Sequence, residues 1–289
     1  MAHTITGHTG FMGLLGDPVA HSISPQMHNT AFQLLGLDYV YLCFPVGEKE
    51  LPAAVQGLKS CKIRGFNLTM PNKNRMAELC DHLSPAAELI GAVNTVVNDN
   101  GVLTGHNTDG TGFLRSLTEA GCPVKGSTIT LMGAGGAATA ICAQAALDGA
   151  QAIRIFARPT SRFWARTQEL AQKLTCRTSC QVTLLENEDE KNLASSLKES
   201  QILINGTSVG MAPRTEDSII RDAALLDPHL TVADVIYNPR QTRLLTMARE
   251  QGCCTLNGMY MLLYQGAEAF RLWTGQDMPV EEIRARYFS

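Results

Sequence analysis

The 289-residue sequence has no apolar run long enough to span a membrane. Its first ten residues have neither the basic flank nor the apolar core of a signal peptide, so we expect a cytoplasmic protein with no membrane partner. The basic residues are scattered and the formal net charge is −3, which gives no reason to expect a nucleic acid as partner. The oligomeric state is left open, with a homodimer among the alternatives.

Metal-binding patterns are also missing. The nine cysteines contain no C-x-x-C pair, and the seven histidines are dispersed along the chain. We interpret the cysteines as reduced, mostly buried thiols and expect no metal site.

Repeats and low-complexity linkers are absent, and stretches typical of strands alternate with stretches typical of helices. This alternation predicts an α/β fold with a parallel sheet in each half of the chain. The length of the chain favours two domains over one.

A glycine-rich turn follows the apolar stretch 128–132, which we expect to be a buried strand. Gly133, Gly135 and Ala138 form G-x-G-x-x-A, the pattern that lets a pyrophosphate approach the start of a helix. Free N–H groups and the helix dipole favour an anion there. The motif is short, so an ordinary glycine turn between strand and helix stays open as the alternative.

The next predicted strand, 152–156, is followed by Arg158 and Arg162 and by no acidic residue. An acid about 20 residues beyond the glycines would indicate NAD, whereas arginines match the 2′-phosphate of NADP. We therefore expect NADP, with solvent-facing arginines as the alternative.

Two serines precede the first predicted helix, in the stretch His21–Pro25. Pro25 suits the first helical turn, and Ser24 is our predicted N-cap. Capping is one interpretation of Ser22 and Ser24. The other is that their hydroxyls and the free helix N–H groups receive a carboxylate.

Further polar side chains follow predicted strand ends, where α/β proteins usually place chemistry. Asn67, Thr69 and Lys73 follow the third strand, and Asp109 follows a predicted hairpin. Taken alone, Lys73 is more consistent with a solvated loop lysine than with a catalytic one. Gln265 lies in a strongly apolar C-terminal helix, where a satisfied buried amide is the alternative to a binding role.

Eight spaced motifs together resemble the shikimate dehydrogenase family, in order and over essentially the whole chain. They are HSISP at 21–25, NLTMPNK at 67–73, GAVNT at 91–95, GHNTDG at 105–110, GAGGAA at 133–138, NGTSVGM at 205–211, DVIYNP at 234–239 and GMYMLLYQGAEAF at 258–270. The residues of several motifs are closest to those of the quinate/shikimate dehydrogenase branch.

The resemblance implies a substrate-binding and catalytic domain at 1–109, completed by 258–289, and a Rossmann NAD(P)-binding domain at 110–257. It implies Lys73 and Asp109 as the catalytic pair. The implied substrate-binding residues are Ser22, Ser24, Tyr39, Asn67, Thr69, Asn94, Tyr237 and Gln265. The implied cofactor-binding residues are Gly133, Ala134, Gly135, Gly136, Ala137, Arg158, Arg162, Thr207 and Gly258.

The activity implied is hydride transfer between NADP or NAD and the C3 position of shikimate, or of quinate. The branch favours NAD or both cofactors, but this chain keeps Arg158 and lacks the acid of NAD users, so we expect NADP to be accepted. Another two-domain dehydrogenase, such as methylene-tetrahydrofolate dehydrogenase, would not require the serine pair. A catalytically weak dinucleotide-binding regulator is the other alternative. The substrate preference, the acid/base assignment and a biosynthetic or catabolic role stay open.

Overall fold

The computed structural model describes residues 4–288, which divide into two compact units. Unit 1 is the chain up to Thr108 and again from Leu263, and unit 2 is Asp109–Leu262. No helix within residues 4–288 is both long and apolar enough to cross a bilayer.

Each unit is built from one sheet and the helices that cover it. The strands are β1 (Gly10–Gly16), β2 (Tyr39–Pro45), β3 (Gly65–Leu68), β4 (His82–Leu83), β5 (Thr95–Asp99), β6 (Val102–His106), β7 (Thr128–Met132), β8 (Ala152–Ala157), β9 (Gln181–Glu186), β10 (Ile202–Asn205), β11 (Thr231–Asp234) and β12 (Cys254–Leu256). The helices are α1 (Ser24–Leu35), α2 (Leu51–Ser60), α3 (Lys73–Leu79), α4 (Pro85–Ile90), α5 (Thr108–Glu119), α6 (Gly136–Leu147), α7 (Trp164–Arg177), α8 (Glu190–Glu199), α9 (Arg243–Glu250), α10 (Met259–Thr274) and α11 (Val280–Tyr287).

The sheet of unit 1 has the order β2-β1-β3-β5-β6-β4 and is mixed, where we expected a parallel sheet. β1 runs parallel to β2 and β3, whereas β5 is antiparallel to β3 and to β6. The short turn between β5 and β6 explains why these two strands are antiparallel, because a parallel partner needs a crossover connection of a dozen or more residues.

Helix α10 is fastened to the sheet of unit 1 by its tryptophan. The indole N–H of Trp273 donates to the carbonyl of Val96 at 2.9 Å, and Arg64 Nε donates to the Trp273 carbonyl at 2.9 Å. A side chain at Gly65 would overlap the indole, so glycine is required there for this close approach. The C-terminal part of the chain thus completes the core formed by the N-terminal part.

The sheet of unit 2 is parallel throughout, in the order β12-β11-β10-β7-β8-β9. This is the strand order of the Rossmann fold. The order reverses between β7 and β10, and ligands of such sheets bind outside the carboxyl ends of the strands at that point.

The turns after β7 and β10 pack against each other at that reversal. A Cβ at Gly206 would lie 2.7 Å from Cβ of Ala138, so both positions need small residues. Helix α6 is buried along most of its length, which suits its alanine-rich sequence. The apolar core beneath β10 and β11 contains Leu203, Leu226, Leu230, Val232, Leu244 and Leu245.

Candidate active site and cofactor site

Ser22 and Ser24 lie at the start of α1, as the sequence predicts, but the N-cap is Ile23. The predicted N-cap, Ser24, is wrong because this residue already belongs to the first turn of the helix. Ser22 Oγ accepts the Ser24 backbone N–H at 3.2 Å, so Ser22 satisfies the donor nearest the helix start. Ser24 is 8 % exposed and Ser22 is half-buried.

Buried amides lie next to the serines in unit 1. Tyr41 hydrogen-bonds to Ser24 and donates its own hydroxyl to Asn67 Oδ1 at 2.7 Å. Asn67 Nδ2 in turn donates to the Asn94 carbonyl at 3.1 Å and to Thr95 Oγ1 at 3.0 Å. Burial raises the pKa of the Tyr41 hydroxyl well above its ordinary value, so Tyr41 is neutral.

Asn94 continues this network toward the end of unit 1. Its Oδ1 accepts the backbone N–H of Thr108 at 2.8 Å and the hydroxyl of Thr95 at 3.0 Å, and its Nδ2 donates to Thr108 Oγ1 at 3.0 Å. Asn94 is 2 % exposed. The amide is therefore held in one orientation before any ligand binds.

Tyr39 does not lie near this network. It is the first residue of β2, paired with Gly10 at the start of β1, and its ring packs against Phe32 with centroids 5.6 Å apart. The network lies toward the carboxyl ends of these strands. Tyr41, two residues on and on the same face of β2, hydrogen-bonds to Asn67 of this network.

Thr69 and Lys73 follow β3 and contact the same part of unit 1. The Thr69 N–H donates to the Leu15 carbonyl at 3.0 Å, and the Lys73 carbonyl accepts the N–H of Val93, next to Asn94, at 2.8 Å. Lys73 is the first residue of α3 and is half-buried. We call a set of six residues of unit 1 the polar cluster: Ser22, Ser24, Asn67, Thr69, Lys73 and Asn94. Thr69 and Lys73 are held next to the others by their backbones.

Gln265 is half-buried on α10. The next residue of this helix, Gly266, contacts α1. A Cβ at Gly266 would overlap the Met27 side chain and lie 3.7 Å from His28 Nε2. Gly266 therefore lets α10 lie close to the helix that begins with Ser24.

In unit 2, Asp109 lies half-buried in the first turn of α5, one residue after Thr108. The next residue, Gly110, lies so close to the Ala140 carbonyl of α6 that a Cβ would overlap it. Tyr237, three residues beyond β11, is 48 % exposed.

The glycine turn has the geometry that a dinucleotide requires. Gly133 has φ +112°, a conformation that favours glycine, and its N–H donates to the Phe156 carbonyl at 2.7 Å. A Cβ at Gly135 or Gly136 would meet no atom within 4 Å, so the turn is open on that side. Gly135 is the N-cap of α6 and has no side chain to occupy the first N–H groups, which fits a phosphate at this helix start. Ala134 and Ala137 flank these glycines.

Both predicted arginines lie just beyond β8 and are exposed. Within residues 4–288 the Arg158 side chain makes no hydrogen bond or ion pair, and it follows Ala157 at the carboxyl end of the strand. The Arg162 guanidinium lies over the Phe163 ring, 4.7 Å from its centroid. Arg158 is therefore the more available of the two for a phosphate.

Thr207 and Gly258 occupy tight positions in unit 2. A Cβ at Gly133 would lie 2.8 Å from Thr207 Cγ2, so the methyl group of Thr207 backs the glycine turn. A side chain at Gly258 would overlap the Val235 carbonyl, and the Gly258 N–H donates to the Ile236 carbonyl at 2.9 Å. Asn205 and Asp234, which hold these loops, were not predicted as functional residues, and the signal for them is a polar residue at the end of each apolar strand.

Metal ligands do not converge in this fold. In the part of the chain that the structure describes, no group of three or more His, Cys, Asp or Glu side chains could hold a metal ion.

Known proteins resemble the chain along its whole length. Residues 14–96 match the model of the shikimate dehydrogenase substrate binding domain, and residues 258–286 match that of the shikimate 5′-dehydrogenase C-terminal domain. A shikimate dehydrogenase (NADP(+)) of Listeria innocua is 53% identical over 284 residues, which cover 98% of this chain and 97% of the relative. The chain belongs to the shikimate dehydrogenase family.

Solved structures of family members share the fold. A shikimate 5-dehydrogenase of Listeria monocytogenes, in complex with shikimate and NAD, is 52% identical, with a TM-score of 0.96 over 99% of this chain and 98% of that chain. A quinate dehydrogenase of Corynebacterium glutamicum, in complex with NAD, is 29% identical, with a TM-score of 0.85 over 97% of this chain and 99% of that chain. The two-domain α/β fold of shikimate dehydrogenases, with its Rossmann domain, is confirmed.

Proposed function

We propose that this chain is an NADP-dependent shikimate dehydrogenase, which interconverts shikimate and 3-dehydroshikimate by hydride transfer at C3. The observation that supports the proposal is the polar cluster, because unit 1 contains its hydroxyls, its hydrogen-bonded amides and Lys73. A small acid with several ring hydroxyls would need this combination. The names of relatives at 48–53% identity support the same activity.

Unit 1 would bind the substrate. Ser22, Ser24 and the start of α1 suit its carboxylate, because hydroxyls and helix N–H groups are donors. Asn67, Thr69 and Asn94 suit its ring hydroxyls, with Gln265 as a further partner from α10. The network around Asn94 fixes the amide in advance, which lowers the entropy lost on binding. We assign Tyr41 to this set in place of Tyr39.

Unit 2 would bind the cofactor, whose bound nicotinamide supplies or accepts the hydride. The open turn from Gly133 to Ala137 suits the pyrophosphate, and Arg158 suits the 2′-phosphate of NADP. Arg162, Thr207 and Gly258 complete the set that we assign to the cofactor. NAD, which lacks the 2′-phosphate, would bind with the same turn but without the contact to Arg158.

Lys73 would handle the proton of the reaction. When the ketone is reduced, negative charge develops on its oxygen, and the Lys73 ammonium can stabilise that charge and donate the proton. In the reverse direction, neutral Lys73 would accept the proton of the C3 hydroxyl. Asp109 would share in this proton transfer.

An assay of four combinations tests the proposal: shikimate or quinate, each with NADP or NAD. We expect the highest kcat/KM for shikimate with NADP, since the relatives carry that name and Arg158 is free to bind the phosphate. Absence of hydride transfer from both acids would refute the proposal and favour a dinucleotide-binding regulator with this fold. Sedimentation of the purified chain would determine the oligomeric state, for which a homodimer is one of the alternatives.

A further inference from the structure

Unit 2 contains a buried chain of polar side chains that the proposed chemistry does not use. Asn205 and Asp234 are the last residues of β10 and β11, they pair in register, and both are 0 % exposed. Their position is the end of the sheet at which the strand order reverses, next to the glycine turn. A buried carboxylate is costly unless it is fully hydrogen-bonded, so its presence here requires an explanation.

Three donors surround the Asp234 carboxylate. Oδ1 accepts Asn205 Nδ2 at 3.1 Å and the Ile236 N–H at 2.9 Å, and Oδ2 accepts the Thr242 hydroxyl at 2.8 Å. An ionised carboxylate only accepts hydrogen bonds. Together with the Val209 carbonyl, which accepts Asn205 Nδ2 at 3.1 Å, it orients the Asn205 amide with the NH₂ group toward Asp234 and the carbonyl oxygen toward Thr207.

The oriented amide fixes Thr207. Asn205 Oδ1 accepts the Thr207 hydroxyl at 2.7 Å and the Thr207 N–H at 3.0 Å, and Thr207 Oγ1 accepts the Val209 N–H at 3.0 Å. The hydroxyl thus points inward and the methyl group faces Gly133. What Thr207 presents to the glycine turn is an apolar wall in a fixed position.

The same carboxylate fixes a second loop. Its acceptor bond to Ile236 holds the backbone after β11, and the Ile236 carbonyl accepts the Gly258 N–H at 2.9 Å. The Val235 N–H donates to the Asn205 carbonyl at 3.0 Å. Thr207 and Gly258, both assigned to the cofactor, thus depend on Asp234 for the position of their loops.

We propose that Asp234 is a positioning residue for cofactor binding, because its carboxylate orients Asn205 and thereby holds Thr207 against the glycine turn. This inference rests on the proposed function, since it assumes that the turn binds NADP(H). It assigns Asp234 no contact with the cofactor and no part in proton transfer.

The test is the affinity for NADPH of the full chain carrying Asp234→Asn, measured by fluorescence titration. The variant keeps the size of the side chain but can present a donor where Asn205 needs an acceptor. We expect about tenfold weaker binding, the effect of losing one charged hydrogen bond. Binding as tight as that of the wild type would overturn the inference. If the wild type itself binds no NADPH, the proposed function fails instead.

Thr130→Val is the matched control. Thr130 is 0 % exposed in the same sheet, and its hydroxyl pairs with Ser200 Oγ at 2.8 Å, away from the loops. We expect this loss of one buried hydrogen bond to leave the affinity for NADPH unchanged. An equal loss of affinity in both variants would mean that general destabilisation causes the effect, and would overturn the inference.

Exchanging the side chains of Asn205 and Asp234 tests whether NADPH binding depends on how the two side chains are oriented toward each other. Asn205→Asp alone places two carboxylates where atoms lie 3.1 Å apart, and we expect it to weaken NADPH binding more than Asp234→Asn does. Combining Asn205→Asp with Asp234→Asn restores one carboxylate facing one amide, still with acceptors toward Thr207. We expect the double variant to bind NADPH more tightly than Asn205→Asp alone. Equal or weaker binding by the double variant would overturn the inference.

Discussion

His28 offers a test of the packing beneath the polar cluster. It lies on α1, one turn after Ser24, and is 0 % exposed. Its ring stacks on Tyr41 with centroids 4.5 Å apart and lies 5.3 Å from Trp273. Within residues 4–288 neither ring nitrogen has a hydrogen-bond partner. Burial lowers the pKa of His28 from 6.5 to about 3, so the ring is neutral in the folded protein.

The lowered pKa makes stability depend on pH. The unfolded chain binds a proton at His28 below its ordinary pKa of 6.5, whereas the folded chain does so only near 3. Between these values the unfolded state binds more protons, so the free energy of unfolding falls as the pH falls. From about pH 7.5 to about pH 5 the loss due to His28 is about 2 kcal/mol.

The perturbation is His28→Phe, which keeps an aromatic ring in the stack and removes the titrating group. The chain has two tryptophans, and Trp273 lies beside His28 in unit 1. In a Trp164→Phe background, the fluorescence of Trp273 therefore reports the unfolding of unit 1 in urea. We expect His28→Phe to remove about 2 kcal/mol from the difference in unfolding free energy between about pH 7.5 and about pH 5.

The exposed His82 is the control, because His82→Gln removes a histidine without changing a buried one. We expect this variant to keep the pH dependence of the parent. If His28→Phe also kept it, His28 would not be buried in a neutral state, and the packing of Tyr41 and Trp273 around it would be wrong. Should the phenylalanine not fit beside Gly266, His28→Leu tests the same difference.

Three further predictions concern the ligand sites. Arg158→Ala should raise the KM for NADP about 10- to 100-fold and that for NAD little, because it removes one charged hydrogen bond to the 2′-phosphate; equal effects on both cofactors would contradict this role. Arg162→Ala should have a smaller effect on the KM for NADP, since its guanidinium lies over Phe163; a larger effect than that of Arg158→Ala would reverse the assignment. Tyr41→Phe should raise the KM for shikimate more than Tyr39→Phe does, because only Tyr41 bonds to Asn67; the opposite ranking would restore the original prediction.

Elements with a strong local pattern could be predicted from the sequence. The bounds of β7 agree with the predicted strand 128–132, because its apolar residues end at a glycine, and β8 is one residue longer than the predicted strand 152–156. The charged stretch 186–191, by contrast, contains no apolar residue. Helix α8 begins inside it, capped by Asp189, whose side chain accepts the Asn192 N–H. Its charges form the exposed face of an amphipathic helix, and the apolar face depends on tertiary packing.

The residue types of the candidate site could be predicted from the sequence, but the position of each residue along its strand could not. Tyr39 and Tyr41 are two residues apart and therefore lie on the same face of β2. The sequence alone does not say which of them contacts the residues at the end of the sheet where ligands bind. The structure decides this through the pairing of Tyr41 with Met12, two positions inside β1. Asp234 was missed for a similar reason, because its importance comes from side chains on another strand and not from its neighbours in sequence.

The most direct test of the proposed function compares turnover with cofactor binding in Lys73→Met. The variant keeps an unbranched side chain but removes the ammonium, and the exposed Lys49→Met serves as its control. We expect kcat with shikimate and NADP to fall about 10²- to 10⁴-fold in Lys73→Met, the usual effect of losing a general acid or base, with NADPH affinity unchanged. A kcat equal to that of Lys49→Met would contradict the proposal that Lys73 moves the proton.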